Sequence, residues 1–93
     1  MSSDATQMRL AGLEGRVALV TGAGRGIGQR IAETLAALGA RTAGGDLAPP
    51  EIPDVLGVEL DVTSEDSVDR ACAAIESELG PPELLVLNAG IFA

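Results

Sequence analysis

Residues Thr21–Gly28 read TGAGRGIG, with glycine at every second position from 22 onward. The preceding segment, Arg16–Thr21 (RVALVT), is a short apolar run typical of a strand that is buried on both faces of a parallel sheet. The segment after the glycines has apolar residues at helical spacing, which predicts a helix that packs on the sheet through Ile27, Ile31, Leu35 and Leu38. The glycine-rich segment is therefore predicted to form the turn between a strand and a helix.

The rest of the sequence continues this alternation. A second helix is predicted after the N-cap Thr63, with an apolar face made of Val68, Ala71, Cys72, Ile75 and Leu79. Three prolines exclude a regular helix between the second and third strands. This loop is predicted at Leu47–Asp54. The further strands are predicted at Arg41–Asp46, Val55–Leu60 and Glu83–Leu87. Strands that alternate with helices predict an α/β fold with a parallel sheet and right-handed crossovers.

The composition excludes several kinds of chemistry. The 93 residues contain 14 Asp+Glu against 6 Lys+Arg, all of them Arg, for a formal net charge of −8. The absence of His, Tyr and Lys excludes an imidazole base, a phenolic acid, a Schiff base and a P-loop lysine. Because nucleic acids and anionic lipids require clustered positive charge, we expect neither nucleic acid nor a membrane as a partner.

Residues 1–9 are predicted to be a disordered leader, and residues 10–93 to form part of one domain. The leader lacks the basic start and apolar run of a signal peptide, and no segment approaches the ~20 apolar residues of a membrane span. A single cysteine, Cys72, excludes an internal disulfide and a zinc cluster. We therefore expect a cytoplasmic protein without a metal, and a Cys72 thiol buried in the core.

The glycine-rich turn favours a phosphate-binding site. A helix N-terminus offers unpaired N–H groups and partial positive charge, and phosphate approaches the backbone closely only where Cβ atoms are absent. The G-x-G-x-x-G spacing fails because Ile27 and Gln29 stand where glycine is needed, and a Walker A loop would require Lys. The spacing fits T-G-x-x-x-G-x-G, at Thr21, Gly22, Gly26 and Gly28. On this signal alone, a tight turn without a ligand remains the alternative.

Two carboxylates at strand ends strengthen the prediction of a nucleotide site. Asp46 ends the second strand 24 residues beyond Gly22, near the spacing at which an acid binds the adenosine ribose in dinucleotide-binding units. Asp61 follows the third strand at the same edge of the sheet. Each also has a simpler explanation, Asp46 as an acid that starts a loop and Asp61 as a capping residue shared with Thr63.

Three motifs together resemble the N-terminal half of a short-chain dehydrogenase/reductase: Thr21–Gly28, Asp61–Val62 and Asn88-Ala89-Gly90. They occur in the family's order and at fitting spacing, and the resemblance covers about residues 10–92. It implies a partial Rossmann-type parallel sheet with flanking helices and strand order 3-2-1-4. It also implies that NAD(P) lies across the carboxyl ends of the strands, with a crevice between the first and fourth strands.

The resemblance also assigns cofactor contacts. Gly22, Gly26 and Gly28 would let the backbone approach the pyrophosphate, and the amide of Ile27 would donate to it. The other contacts would fall on the adenosine side, at Arg25, Asp46, Leu47, Asp61 and Val62, and on the ribose side of the crevice, at Asn88, Ala89 and Gly90. The family often has a second Asn before the N-A-G triplet, where this sequence has Leu87.

Asp46 predicts NAD rather than NADP as the cofactor. A carboxylate that faces the 2′-phosphate would repel it, because two like unit charges ~4 Å apart interact by about 4 kcal/mol at an effective dielectric of ~20. Arg25 would oppose this preference if its guanidinium neutralised the phosphate.

The family's catalytic Ser, Tyr and Lys are not matched in this sequence, so no catalytic residue is predicted. The resemblance implies that the full-length protein is an NAD(P)-dependent oxidoreductase, which interconverts an alcohol and a carbonyl of a small molecule by hydride transfer and forms a dimer or tetramer. This chain would be its cofactor-binding half, truncated before the catalytic half, with an open apolar edge at Leu84–Leu87. Two alternatives stay open: a non-catalytic NAD-binding sensor or scaffold, and a 3-oxoacyl-acyl-carrier-protein reductase that uses NADPH.

Overall fold

The computed structural model describes residues 12–88, which form a four-stranded parallel sheet between two helices. The strands are Val17–Thr21 (β1), Arg41–Asp46 (β2), Val55–Glu59 (β3) and Leu84–Val86 (β4), and the helices are Gly26–Ala37 (α1) and Glu65–Glu78 (α2). The sheet order is β3-β2-β1-β4, with every neighbouring pair parallel. The predicted α/β fold and its strand order are confirmed, whereas the leader, Ala89 and Gly90 lie outside the described residues.

The two helices cover opposite faces of the sheet. β1 is buried along its whole length, and its side chains alternate between two cores. Val17 and Leu19 face α2, in a core that also holds Ala43, Val58, Leu60, Ala71 and Ile75. Val20 faces α1, in a core that also holds Ala23, Ala32 and Ile52. Because both faces are covered, the central strand reads as a continuous apolar run rather than an alternating one.

Two glycines in β2 allow close packing on both faces of the sheet. An added Cβ at Gly44 would lie 2.9 Å from the Cβ of Ala23, and one at Gly45 would lie 2.7 Å from Cδ2 of Leu60. The turn after β1 and the segment after β3 therefore approach the backbone of β2 closely. This close packing brings the ends of β1, β2 and β3 to one place.

The predicted loop between β2 and β3 is confirmed, and these two parallel strands are connected without a helix. Its residue Ile52 is buried in the core beneath α1. Pro50 crosses β3 at Gly57, where a Cβ would collide with the Pro50 carbonyl. Asp54 closes the loop in the left-handed region, with φ of 64°. Among residues 12–88, neither helix has the length and apolar character needed to cross a membrane.

Two predictions of burial are wrong. Ile27 is 71% exposed, because α1 meets the sheet through the small residues Gly28 and Ala32, one turn apart, and its larger apolar residues flank that contact. Cys72 is exposed, because the buried residues of α2 are Ser67, Ala71 and Ile75, and Cys72 lies to one side of that stripe. Both errors arise because the periodicity of large apolar residues does not fix the rotation of a helix that packs through small ones.

The N-cap prediction for α2 is also wrong by one residue. The cap is Ser64, whose hydroxyl oxygen accepts from the amide of Ser67 at 3.2 Å. Thr63 is occupied elsewhere, because both its amide and its hydroxyl donate to Asp61.

Candidate functional site

The carboxyl ends of the first three strands open into one cleft of about 340 Å³. Its lining includes five of the residues predicted to contact a cofactor: Gly22, Asp46, Leu47, Asp61 and Val62. They come from the ends of β1, β2 and β3, which the parallel sheet places at the same edge. The structure therefore brings together side chains that are far apart in the sequence.

The glycines of the turn are required by its geometry. Gly22 and Gly26 have φ values of 65° and 63°, in the left-handed region that favours glycine. An added Cβ at Gly28 would lie 2.6 Å from Nδ2 of Asn88 and would collide with the carbonyl of Gly22. Each glycine of the T-G-x-x-x-G-x-G pattern thus has either a conformation or a close approach that explains it.

The N-terminus of α1 lacks the cap that α2 has. Its N-cap residue, Arg25, makes no side-chain capping bond within residues 12–88, and its first turn holds no acid. The first turn of α2 instead has the Ser64 cap together with Glu65 and Asp66. The first amide N–H groups of α1 have no intrahelical partner and carry a partial positive charge, so they form a place where an anion can bind.

The Asp46 carboxylate joins the end of β2 to the glycine turn. Its Oδ2 accepts from the amide of Gly24 at 2.8 Å, and its Oδ1 accepts from the amide of Leu47 at 2.8 Å. The amide of Ala23 also donates to the carbonyl of Gly45 at 3.1 Å. The acid is therefore more than the first polar residue of a loop, because the backbone on either side of it fixes its orientation.

Asp61 is held in a similar way by the residues that follow it. Its backbone amide donates to the Ser67 hydroxyl at 2.9 Å, and its Oδ1 accepts from the Thr63 hydroxyl at 2.6 Å and the Thr63 amide at 2.9 Å. The hydroxyl bond and then the amide bond lower the pKa of Asp61 below its ordinary value of 3.8, against the opposing effect of burial. Asp61 is thus a carboxylate at neutral pH. Its Oδ2 has no hydrogen-bond partner within residues 12–88.

Asn88 ties the end of β4 to the glycine turn. Its amide donates to the hydroxyl of Thr21 at 2.9 Å, and its Nδ2 donates to the carbonyl of Gly22 at 3.4 Å. These bonds hold the end of β4 against the glycine turn at the carboxyl end of β1. The preceding Leu87 is 73% exposed and makes none of the side-chain hydrogen bonds that an Asn there could make.

The remaining predicted contact residues are exposed around the cleft. Leu47 and Val62 present apolar side chains to solvent beside the two carboxylates. Arg25 lies beside Asp46 in a neighbouring groove that also includes Pro49 and Glu51. Sequence reasoning did not single out Gly24, which fills a variable position of the motif and whose contact with Asp46 is visible only in three dimensions.

Comparisons with known proteins agree with this architecture. Residues 16–93 match the family model described as short chain dehydrogenase. The chain is 44% identical over 93 residues to the 3-oxoacyl-[acyl-carrier-protein] reductase MabA of Mycobacterium tuberculosis (strain ATCC 25618 / H37Rv), covering 100% of this chain and 38% of the relative. It is 46% identical over 86 residues to the 3-oxoacyl-[acyl-carrier-protein] reductase FabG of Escherichia coli (strain K12), covering 84% of this chain and 35% of the relative.

A solved structure shows the same fold. The ligand-free aldohexose dehydrogenase of Thermoplasma acidophilum superposes with a TM-score of 0.80 at 35% sequence identity, over 88% of this chain and 32% of that chain. The chain thus spans a little over a third of the length of the curated relatives it matches. Since the family model matches most of the sequence, and the fold and strand order agree with it, the chain belongs to the short-chain dehydrogenase/reductase family.

Proposed function

We propose that this chain is the cofactor-binding part of an NAD(P)-dependent reductase that converts the 3-oxo group of an acyl chain, carried on an acyl carrier protein, to a hydroxyl group. The cleft at the carboxyl ends of the strands carries the proposal, because it brings the glycine turn, Asp46 and Asp61 together. The substrate class is supported by the 44% and 46% identities to two reductases named for it.

The glycine turn fits the pyrophosphate of a dinucleotide. Gly22 and Gly28 lie against Asn88 and the carbonyl of Gly22 with no room for a Cβ, so the turn is compact and has no side chain at these two positions. The uncapped start of α1 supplies N–H donors, including that of Ile27, and partial positive charge. A diphosphate matches both features.

The two carboxylates fit the adenosine half. Asp46 holds its charge at the end of β2, where its remaining lone pairs can accept from ribose hydroxyls. Oδ2 of Asp61 can accept from the amino group of an adenine, and Val62 and Leu47 offer apolar contact with the base. Asn88, with Ala89 and Gly90, would border the nicotinamide ribose.

The proposed roles of the cofactor and of this chain in the reaction are different. A bound reduced nicotinamide would supply hydride to the carbonyl carbon. The 93 residues contain no His, Tyr or Lys, so none of these three side chains is available here for proton transfer, and the role proposed for this chain is to bind and orient the cofactor. Unlike the NADPH-using reductase considered as an alternative in the sequence analysis, this proposal prefers NAD as the cofactor, because the Asp46 carboxylate would repel a 2′-phosphate.

A titration of the purified protein with NAD, NADP and AMP tests the cofactor assignment. Asp61→Asn replaces one carboxylate oxygen, the acceptor proposed for the adenine amino group, with an amide donor. We expect this variant to weaken the binding of AMP and of NAD by about tenfold. Glu76→Gln removes one negative charge from the exposed face of α2, away from the cleft, and serves as the matched control. Absence of any dinucleotide binding, or equal effects of the two variants, would refute the assignment.

An assay of the full-length protein tests the substrate class. We expect reduced nicotinamide to be consumed with a 3-oxoacyl thioester of acyl carrier protein and not with an aldohexose. The structural similarity to an aldohexose dehydrogenase makes a sugar the specific competitor. Turnover of the sugar alone would exclude the oxoacyl substrate, and binding without turnover of either would favour a sensor or scaffold.

A further inference from the structure

The contact between Gly24 and Asp46 determines where the Asp46 charge lies. Oδ2 accepts from the Gly24 amide and Oδ1 from the Leu47 amide, both at 2.8 Å. The carboxylate is thus held from two directions by main-chain donors, and its orientation does not depend on a flexible side chain. Charge-assisted bonds of this kind are among the stronger hydrogen bonds in proteins.

Glycine at position 24 is explained by space and not by backbone conformation. Unlike Gly22 and Gly26, Gly24 does not lie in the left-handed region, so its φ does not require glycine. An added Cβ would lie 2.6 Å from Oδ2 and 3.2 Å from Cγ of Asp46, and the three nearest atoms all belong to that side chain. A side chain at position 24 would therefore act on the Asp46 carboxylate before it acted on anything else.

We propose that Gly24 is a positioning residue that sets the preference for NAD over NADP through Asp46. Its missing Cβ lets the carboxylate lie against the turn, at the point where the adenosine 2′ position would approach. This inference rests on the proposed function, since it requires a dinucleotide in the cleft. It adds a residue outside the glycines of the motif to the determinants of cofactor choice.

The substitution Gly24→Ala isolates this role. The new methyl group would displace the Asp46 carboxylate and no backbone atom, so the fold is retained while the bond between the Gly24 amide and Oδ2 is lost. NAD affinity should fall about tenfold, as expected for a ligand contact whose charged acceptor is no longer fixed. NADP affinity should stay the same or rise, so the ratio of the two affinities should narrow by about tenfold.

The matched control is Gly12→Ala. No atom of residues 12–88 lies within 4 Å of a Cβ added at Gly12, and Gly12 is not in the left-handed region, so this variant makes the same chemical change without a contact to Asp46. Both affinities should equal those of the wild type. Thermal unfolding of the two variants checks that each is folded.

A double substitution tests whether Gly24 acts through Asp46. In an Asp46→Ser background the carboxylate is gone, and adding Gly24→Ala should change the affinity ratio by less than about twofold. The shorter side chain also removes the steric conflict, so this pair remains informative if Gly24→Ala alone does not fold.

The outcomes separate this inference from the proposed function. Binding of NAD by the wild type, with an unchanged NAD to NADP ratio in Gly24→Ala, overturns the inference alone. A full effect of Gly24→Ala in the Asp46→Ser background also overturns it, because Gly24 would then act directly. No dinucleotide binding by the wild type overturns the proposed function and this inference together.

Discussion

Thr63 donates two hydrogen bonds to a single carboxylate oxygen of Asp61, from its hydroxyl at 2.6 Å and from its amide at 2.9 Å. Both bonds end on Oδ1, and Oδ2 accepts no hydrogen bond from residues 12–88. The arrangement keeps Asp61 charged and fixes its orientation at the rim of the cleft. The bonds to Thr63 and a ligand-binding role are therefore compatible, because they use different oxygens of the same group, while helix capping falls to Ser64.

Thr63→Val should raise the pKa of Asp61 toward its ordinary value of 3.8, because the hydroxyl bond is the largest cause of the lowered pKa. A lowered pKa in the folded state contributes stability that is present above 3.8 and is lost as pH falls through the folded-state pKa. The stability gap between wild type and Thr63→Val should therefore be larger at about pH 6 than at about pH 2. Unfolding at both pH values and an NMR titration of the Asp61 carboxyl measure this.

The control for that variant is Thr34→Val. The hydroxyl of Thr34 donates to the neutral carbonyl of Arg30 at 2.8 Å, so its loss should cost the same at both pH values. A pH-independent gap for Thr63→Val would contradict the prediction.

Gly28→Ala should damage both the fold and the cleft. The added methyl group would meet the carbonyl of Gly22 and Nδ2 of Asn88, and the backbone carbonyl cannot move without disturbing the turn. We expect the free energy of unfolding to fall by about 1–3 kcal/mol, as for other overpacked sites. We also expect dinucleotide affinity to fall by more than about tenfold, since the phosphate seat would be distorted. Calorimetry with NAD and denaturant unfolding measure the two effects, and near-native values in both would refute the prediction.

The sequence was sufficient to predict the order of elements and the placement of the two acids. Parallel strands buried on both faces form apolar runs, and the residue that ends each run marks the carboxyl edge of the sheet. Asp46 and Asp61 could therefore be assigned to one edge without coordinates. Gly22, Gly26 and Gly28 could be singled out because the need for glycine at a strand-to-helix turn is local.

Features that depend on rotation or on contact between distant residues could not be predicted. Ile27 and Ala32 lie on the same helix, yet the smaller side chain is the one that meets the sheet. Cys72 was misplaced for the same reason. The Gly24–Asp46 bond joins residues that are 22 positions apart, and no periodicity of the sequence reports it.

Ser64→Ala should destabilise α2 by about 1 kcal/mol, because the hydroxyl of Ser64 accepts from the amide of Ser67 and satisfies one of the free donors of the first turn. The matched control is Ser77→Ala, at an exposed position in the last turns of the same helix. Alanine favours helices at interior positions, so this control should be neutral or slightly stabilising. Equal losses in the two variants, measured by thermal unfolding, would show that Ser64 does not act as a cap.

The open side of β4 should govern the association of the 93-residue polypeptide. Within residues 12–88 this strand pairs only with β1, and Leu85 and Leu87 are 55% and 73% exposed. Apolar strands with a free edge pair readily with other chains, and an exposed Lys on such an edge opposes this pairing. We expect the polypeptide to self-associate as its concentration rises, and Leu85→Lys to reduce the association, as measured by light scattering. Leu47→Lys places the same charge on an exposed leucine away from β4 and should leave association unchanged. If the wild-type polypeptide is a monomer that unfolds in a sharp, concentration-independent thermal transition, the prediction is contradicted, because the free edge of β4 would then not cause association.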